Sequence, residues 1–179
     1  MIYFFIAEGF EEVEALCPLD LLRRAGLEVT TVGIGSGEIT GSHGITVKTD
    51  IRDDEYADES PELVFLPGGM PGTLNLLANN TVKEATLKAY NNGAYVAAIC
   101  AAPMILGTLG ILEGKEATCY PGFEDKLTGA RISDKRVVTD GKILTATGMG
   151  VALDFGLTVV SILMGEEKAN ELRRSVIAD

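Results

Sequence analysis

Apolar positions along the chain follow two alternating patterns, which together predict strands interleaved with helices. Ile2 to Ala7 is a continuous bulky apolar run without strict alternation, suited to a central strand covered on both faces. From Glu11 to Ala25, Val13, Leu16, Leu19 and Leu22 recur at helical spacing, Gly26 supplies a stop, and Pro18 predicts a kink. Leu27 to Ile34 reads as the next strand, after which Gly33, Gly35 and Gly37 turn the chain into a short polar hairpin ending near Lys48. The acidic stretch Asp53 to Glu59 is expected to be a solvated connection. Leu63 to Leu66 is a compact strand broken by Pro67-Gly68-Gly69, Val82 to Tyr90 a helix closed by Asn91-Asn92-Gly93, and Tyr95 to Ile99 a further strand. Ala102 to Leu109 is helix-compatible, with Pro103 in its first turn. Ala117 to Tyr120, Arg136 to Thr139 and Ile143 to Ala146 read as later strands, Val151 to Met164 as a buried helix, and a charged helix follows from Glu166. This alternation predicts the α/β class, with a parallel sheet between helical layers.

Composition narrows the picture without redirecting it. A chain of 179 residues, 46% apolar and 23% charged, fits one globular domain over 1–179 and excludes disordered or repetitive architectures. A formal net charge of -11 disfavours nucleic acid and anionic membrane as partners, because like charges repel. Met1 leads straight into the first apolar run with no cationic stretch, so that run reads as a strand and not a signal peptide. The run Val151 to Met164 is too short to span a bilayer and contains Asp154. Cys17, Cys100 and Cys119 make an odd count in a chain that needs no staple, which favours a reducing compartment, the cytoplasm.

In open parallel sheets ligands gather beyond the carboxyl ends of the strands. There this sequence places Glu8-Gly9-Phe10-Glu11-Glu12-Val13-Glu14, then Pro67-Gly68-Gly69, Cys100-Ala101-Ala102-Pro103 and Gly148-Met149-Gly150. A cysteine at a sharp strand-to-helix turn is held outward by a strained backbone, and Ala98, Ala101 and Ala102 leave room for such a turn. The start of the following helix would lower the thiol pKa and make the sulfur a nucleophile or an oxidation target; the bland alternative is a buried inert cysteine. Cys17 and Cys119 read as packing thiols. Glu11 and Glu12 fit a helix start stabilised by carboxylates, whereas Glu14, one turn in, is placed to hydrogen-bond to the thiol. Gly68-Gly69 is either a plain turn or a source of amides for an oxyanion. Gly33-Ile34-Gly35 lacks the helix and the third glycine of a dinucleotide fingerprint, no phosphate loop is present, and one histidine with three scattered cysteines gives no metal-ligand spacing.

Taken together, Glu8-Gly-Phe-Glu-Glu-Val-Glu14, Pro18-Leu-Asp-Leu-Leu-Arg-Arg-Ala-Gly26, Leu66-Pro-Gly-Gly69, Ala97-Ala-Ile-Cys-Ala-Ala-Pro103 and Thr147-Gly-Met-Gly150 resemble the DJ-one/PfpI (ThiJ-like) superfamily over nearly the whole chain. The sequence is most similar to the DJ-one and bacterial chaperone-like branch. That resemblance implies a flavodoxin-like three-layer sandwich of the class I glutamine-amidotransferase-like type, with a mostly parallel central sheet and helices on both faces. It implies a homodimer, Cys100 at a nucleophile elbow, Glu14 as its protonated carboxyl partner, and Gly69 and Ala101 as oxyanion amides. Arg24 matches a family arginine near a dimer-related anion site, and His43 stands where that branch often has a second arginine.

Two departures bear on mechanism. PfpI-type proteases carry histidine directly after the nucleophile, where this chain has Ala101, so the peptidase or amidase reading lacks its base. The cofactor-free glyoxalase branch uses another histidine that aligns with Tyr120, a residue able to orient substrate but poorly suited to proton shuttling at neutral pH. What the resemblance implies first is a deglycase or glyoxalase-type enzyme acting on methylglyoxal, glyoxal or their early protein adducts, with no metal or organic cofactor. The alternative is a redox-responsive stress protein or chaperone sensing oxidants through Cys100. A ThiJ-like role in thiamine metabolism is a lesser reading, and nothing in these residues selects a thiazole.

Overall fold

Side chains along β1 (Ile2–Ile6) alternate between two cores, so every position is buried and the run carries no polar face. Ile2, Phe4 and Ile6 enter one core; Tyr3 and Phe5 enter the other. A computed structural model describes residues 1–57 and 60–178, so Asp58 and Glu59, the end of the predicted acidic connection, lie outside the described residues.

After β1 the chain forms α1 (Glu12–Arg24), β2 (Val29–Gly33), the hairpin strands β3 (Glu38–Thr40) and β4 (Thr46–Lys48), and β5 (Ile51–Arg52). The middle of the chain builds β6 (Leu63–Leu66), α2 (Gly72–Ala78), α3 (Asn80–Asn91), β7 (Tyr95–Ile99) and α4 (Pro103–Thr108). The last third adds β8 (Glu116–Ala117), β9 (Arg131–Ile132), β10 (Val137–Asp140), β11 (Ile143–Ala146), α5 (Ala152–Met164) and α6 (Glu166–Ser175). Among the described residues the main sheet runs β10-β11-β7-β6-β1-β2-β5. Its pairs are parallel except β10 with β11, so the sheet is mostly parallel with one antiparallel edge.

One core lies between the sheet and the α1–α5 layer, where Phe4 stacks on Phe65 at 4.2 Å and Phe65 meets Phe155 at 5.5 Å. The other lies between the sheet and the layer of α3 and α4. This is the α/β flavodoxin-like sandwich expected. Pro18 does not interrupt α1; the helix stays continuous, and Gly156 of α5 lets the two helices approach so closely that a Cβ there would lie 3.0 Å from Pro18 Cα.

Three expectations about elements need correction. Ala117 to Tyr120 is not a strand of the main sheet: β8 ends at Ala117 and pairs with β9 in a separate two-stranded sheet. Helix α2 and edge strand β5 were not predicted, because Gly72 to Ala78 opens behind a Gly-Pro-Gly-rich loop and Ile51-Arg52 is too short for a period. Ile2 to Ala7 is interior as expected, but the middle position of the sheet belongs to β6. No helix of the described residues is long and apolar enough to cross a membrane.

Candidate active site

The loops at the carboxyl ends of β1 and β6 are bound to each other by backbone hydrogen bonds, and the end of β7 is bound to neighbouring segments. Glu11 N–H donates to the Gly68 carbonyl at 2.9 Å and Gly72 N–H to the Gly9 carbonyl at 3.0 Å. At the end of β7 the Cys100 amide donates to the Ala146 carbonyl at 2.8 Å, and the Cys100 carbonyl accepts from the Tyr120 amide at 2.8 Å. Held from both sides, Cys100 sits at φ 66°, a left-handed conformation that costs a non-glycine residue roughly 1–2 kcal/mol. The elbow predicted for Cys100 is therefore present, and its side chain is partly exposed.

Glu14 faces this thiol from α1 and is only 1% exposed. The Glu11 carboxylate caps the helix by accepting the Glu14 amide at 2.7 Å, which fixes the first turn and directs Glu14 inward. Burial pushes the Glu14 carboxyl up to about 7, against the opposing pull of the Cys100 thiol and the amides of Met149 and Gly68. The thiol bears on the Glu14 carboxyl, yet buried Oε2 makes no hydrogen bond of full geometry among the described residues. The two groups lie close together on either side of Gly68.

The Cys100 thiol is pushed up to about 12 by burial and then by the Glu14 charge, while the amides of Gly69 and Ala101 pull it down. This corrects the expectation that a helix start would lower it: α4 is only six residues long and begins at Pro103. The repulsion disappears when Glu14 holds a proton. The protonation of each group therefore depends on that of the other, and a thiolate beside neutral Glu14 would be spared that repulsion.

Gly68 and Gly69 serve different purposes. A Cβ at Gly68 would lie 2.6 Å from Cys100 Cβ and would collide with Glu14 Oε2, so its lack of a side chain lets acid and thiol meet. Gly69 adopts φ +95° against the Phe10–Glu11 backbone and turns its amide toward the sulfur. Tyr120, 51% exposed, stands at the rim with its ring 3.3 Å from the position a Cβ on Gly148 would take, and that same position is 3.5 Å from Glu14 Oε1.

Arg24 and His43 are not brought together in the single chain. Arg24 Nε donates to Asp20 at 2.6 Å along α1. His43 instead binds Glu12: its amide donates to Oε1 at 2.7 Å and Nδ1 lies 2.8 Å from Oε2. Glu12 is thus no solvated helix-end charge but a buried acceptor under the β3–β4 turn, which sequence reasoning missed. Cys17 lies half-buried on α1 and Cys119 is buried with its thiol pushed up to about 11, mainly by burial; both suit packing thiols. A groove of about 590 Å³ is lined by Val13, Leu16, Cys17, Ile45, Leu153 and Val176 among others, but not by Cys100 or Glu14.

Comparison with known proteins places the chain in a family. The model of the DJ-1/PfpI family matches residues 1–162. Protein DJ-1 homolog B of Arabidopsis thaliana is 39% identical over 170 residues, which cover 93% of this chain and 39% of that protein, so the chain spans about two fifths of that relative's length. A deglycase of Pyrococcus horikoshii is 36% identical over 143 residues, covering 78% of this chain and 85% of that one. The solved structure of oxidised DJ-1 from Toxoplasma gondii superposes with a TM-score of 0.95 at 30% identity, covering 98% and 97% of the two chains. By its matching segments, its sandwich and its family model, the chain belongs to the DJ-1/PfpI family.

Proposed function

We propose that residues 1–179 act as one domain with thiol-dependent deglycase or glyoxalase-type activity on methylglyoxal, glyoxal or their early protein adducts. The observation that carries this reading is the partly exposed Cys100 at a left-handed elbow, set against a buried Glu14 whose carboxyl titrates near neutrality. The similarity to a deglycase of Pyrococcus horikoshii supports it.

With Glu14 protonated, the Cys100 thiolate attacks the aldehyde carbon and forms a C–S bond, while the carbonyl π pair becomes an alkoxide facing the amides of Gly69 and Ala101. Glu14 delivers its proton to that alkoxide, giving a hemithioacetal. The carboxylate then takes the proton from the former aldehyde carbon and returns it to the neighbouring carbon, while the hemithioacetal hydroxyl passes its proton to the neighbouring carbonyl oxygen, leaving a 2-hydroxy thioester. Water hydrolyses the thioester, the thiol regains its proton, and the balance is one dicarbonyl plus one water giving one 2-hydroxy acid. Tyr120 at the rim orients the substrate. A peptidase reading is weaker: Ala101 follows the nucleophile, and His43 is engaged with Glu12.

The test is steady-state consumption of methylglyoxal by the wild type beside Cys100→Ser and Glu14→Gln. Sustained turnover lost in both supports the enzyme; turnover that survives Cys100→Ser sinks it.

A second reading, a redox-responsive protein, rests on Glu14 Oε2, a buried oxygen without a hydrogen bond of full geometry. Peroxide would oxidise the Cys100 thiolate to sulfenate, releasing water, and a second peroxide would give sulfinate, to which protonated Glu14 donates. The solved relative from Toxoplasma gondii, described as oxidised, supports this reading. Intact mass after mild peroxide reads it: two oxygens gained at Cys100, absent in Cys100→Ser, together with no dicarbonyl turnover, would favour it over the enzyme.

We also propose a homodimer through the groove of α1. Val13 and Ile45 are 43% and 53% exposed there, an apolar surface that a second copy would cover. The Arg24 and His43 anion site, if formed, requires that partner.

A further inference from the structure

The loop after β11 contributes more to the site than its sequence suggests. Val137 and Ala146 form the terminal pair of the antiparallel ladder, and the Thr147 amide extends it by donating to the Arg136 carbonyl at 2.9 Å. Beyond lies Gly148-Met149-Gly150, closed on itself by a bond from the Val151 amide to the Gly148 carbonyl at 3.0 Å. Two glycines in three residues leave this segment few side chains with which to hold its place.

Glu14 lies against that segment. The position of a Cβ on Gly148 is 3.5 Å from Glu14 Oε1, and the Met149 amide pulls the Glu14 carboxyl down. Across the open end of the loop reaches the exposed side chain of Arg136, whose Nη2 donates to the Gly150 carbonyl at 2.9 Å. One residue on the neighbouring strand thus fastens the loop at both ends, by its own carbonyl to Thr147 and by its guanidinium to Gly150.

We infer that Arg136 is a positioning residue for the Cys100–Glu14 pair, holding the Gly148–Met149 segment in place against the Glu14 carboxyl. Arg136 acts through the loop and does not touch the thiol. The inference rests on the reading that the protonation of Cys100 and that of Glu14 are coupled. The groups facing Glu14 are the Cys100 thiol, the Glu11 carboxylate of its own helix, the amides of Gly68 and Met149, and the Tyr120 ring across Gly148. Of these, the Met149 amide is carried by the segment that Arg136 holds.

The experiment is a titration of the Glu14 side-chain carboxyl carbon by NMR, with amide hydrogen exchange at Met149, in the wild type, Arg136→Gln and Arg136→Lys. Losing the amide's contribution raises the Glu14 midpoint, by about half a unit for one hydrogen bond, and speeds Met149 exchange in Arg136→Gln. Arg136→Lys, which keeps a charged donor, restores part of both. An unchanged midpoint in Arg136→Gln overturns the proposal, as does a raised midpoint with unchanged Met149 exchange, which would mean that the charge acts directly. A lower melting temperature without a midpoint shift assigns Arg136 a merely structural part and also overturns it. Cys100→Ser tests the underlying pair separately: a Glu14 midpoint that ignores this substitution breaks the coupled-protonation reading, whatever Arg136 does.

Discussion

Glu14 costs the fold stability at neutral pH, and the sign follows from its raised carboxyl. Below its ordinary value near 4.5 both folded and unfolded chains hold the proton; between there and about 7 the unfolded chain releases it first, so stability falls as pH rises. Glu14→Gln removes that penalty. It should stabilise the protein by up to about 3 kcal/mol above neutrality and by little near pH 4.5, as read by thermal melts at both ends of the range. Equal melting shifts at the two pH values would contradict the raised carboxyl. Gly68→Ala makes the complementary point, because its methyl would sit 2.6 Å from Cys100 Cβ and against Glu14 Oε2. Its expected cost is about 1–3 kcal/mol of stability with a several-fold change in Cys100 alkylation rate; a variant indistinguishable from wild type in both would show that this crowding is absent. At this scale Cys100 was legible from the sequence because strand, small residues and helix flank it locally. The purpose of Gly68 was not, since it depends on side chains that come from two other elements.

Among the elements, the β3–β4 hairpin is tied to α1 by Glu12. Burial alone would raise this carboxyl, but the His43 ring and the amides of Glu12, His43 and Ile45 outweigh it and hold it below the usual value. The bond to Glu12 raises His43 in turn. Glu12's contribution is present above its ordinary 4.5 and is lost as pH falls through its lowered folded value. His43's contribution is complete below its ordinary 6.5 and is lost as pH rises through its raised folded value, so the clamp is firmest between these limits. Glu12→Ala strands the His43 and Ile45 amides and should cost roughly 1–3 kcal/mol, with hydrogen exchange at Thr40 to Lys48 accelerating before the rest of the fold. Uniform acceleration across the sheet would argue against a local clamp. The hairpin itself was readable from glycine spacing, but its docking was not: Glu11 and Glu12 look alike at the helix start, and one caps while the other clamps.

For the whole molecule the open question is association. A second copy seated on the α1 groove would cover Val13 and Ile45, and two chains of net charge -11 would repel as they met. We therefore expect a dimer in sedimentation that tightens with added salt and that Ile45→Asp converts to monomer. A wild type monomeric at all salt concentrations would remove the dimer, and with it the Arg24 and His43 anion site.

By itself the sequence determined the alternation of strands and helices, the doubly buried character of β1, and the elbow at Cys100, because each is written in neighbouring residues and their period. Tertiary structure alone decided that Glu12 clamps the β3–β4 hairpin, why Gly68 has no side chain, that Ala117 to Tyr120 leaves the main sheet, and that Arg136 holds the loop beside Glu14. Those outcomes depend on strand order and register, which bring together residues from the ends of β6, β7, β10 and β11 and the start of α1 that no local pattern connects.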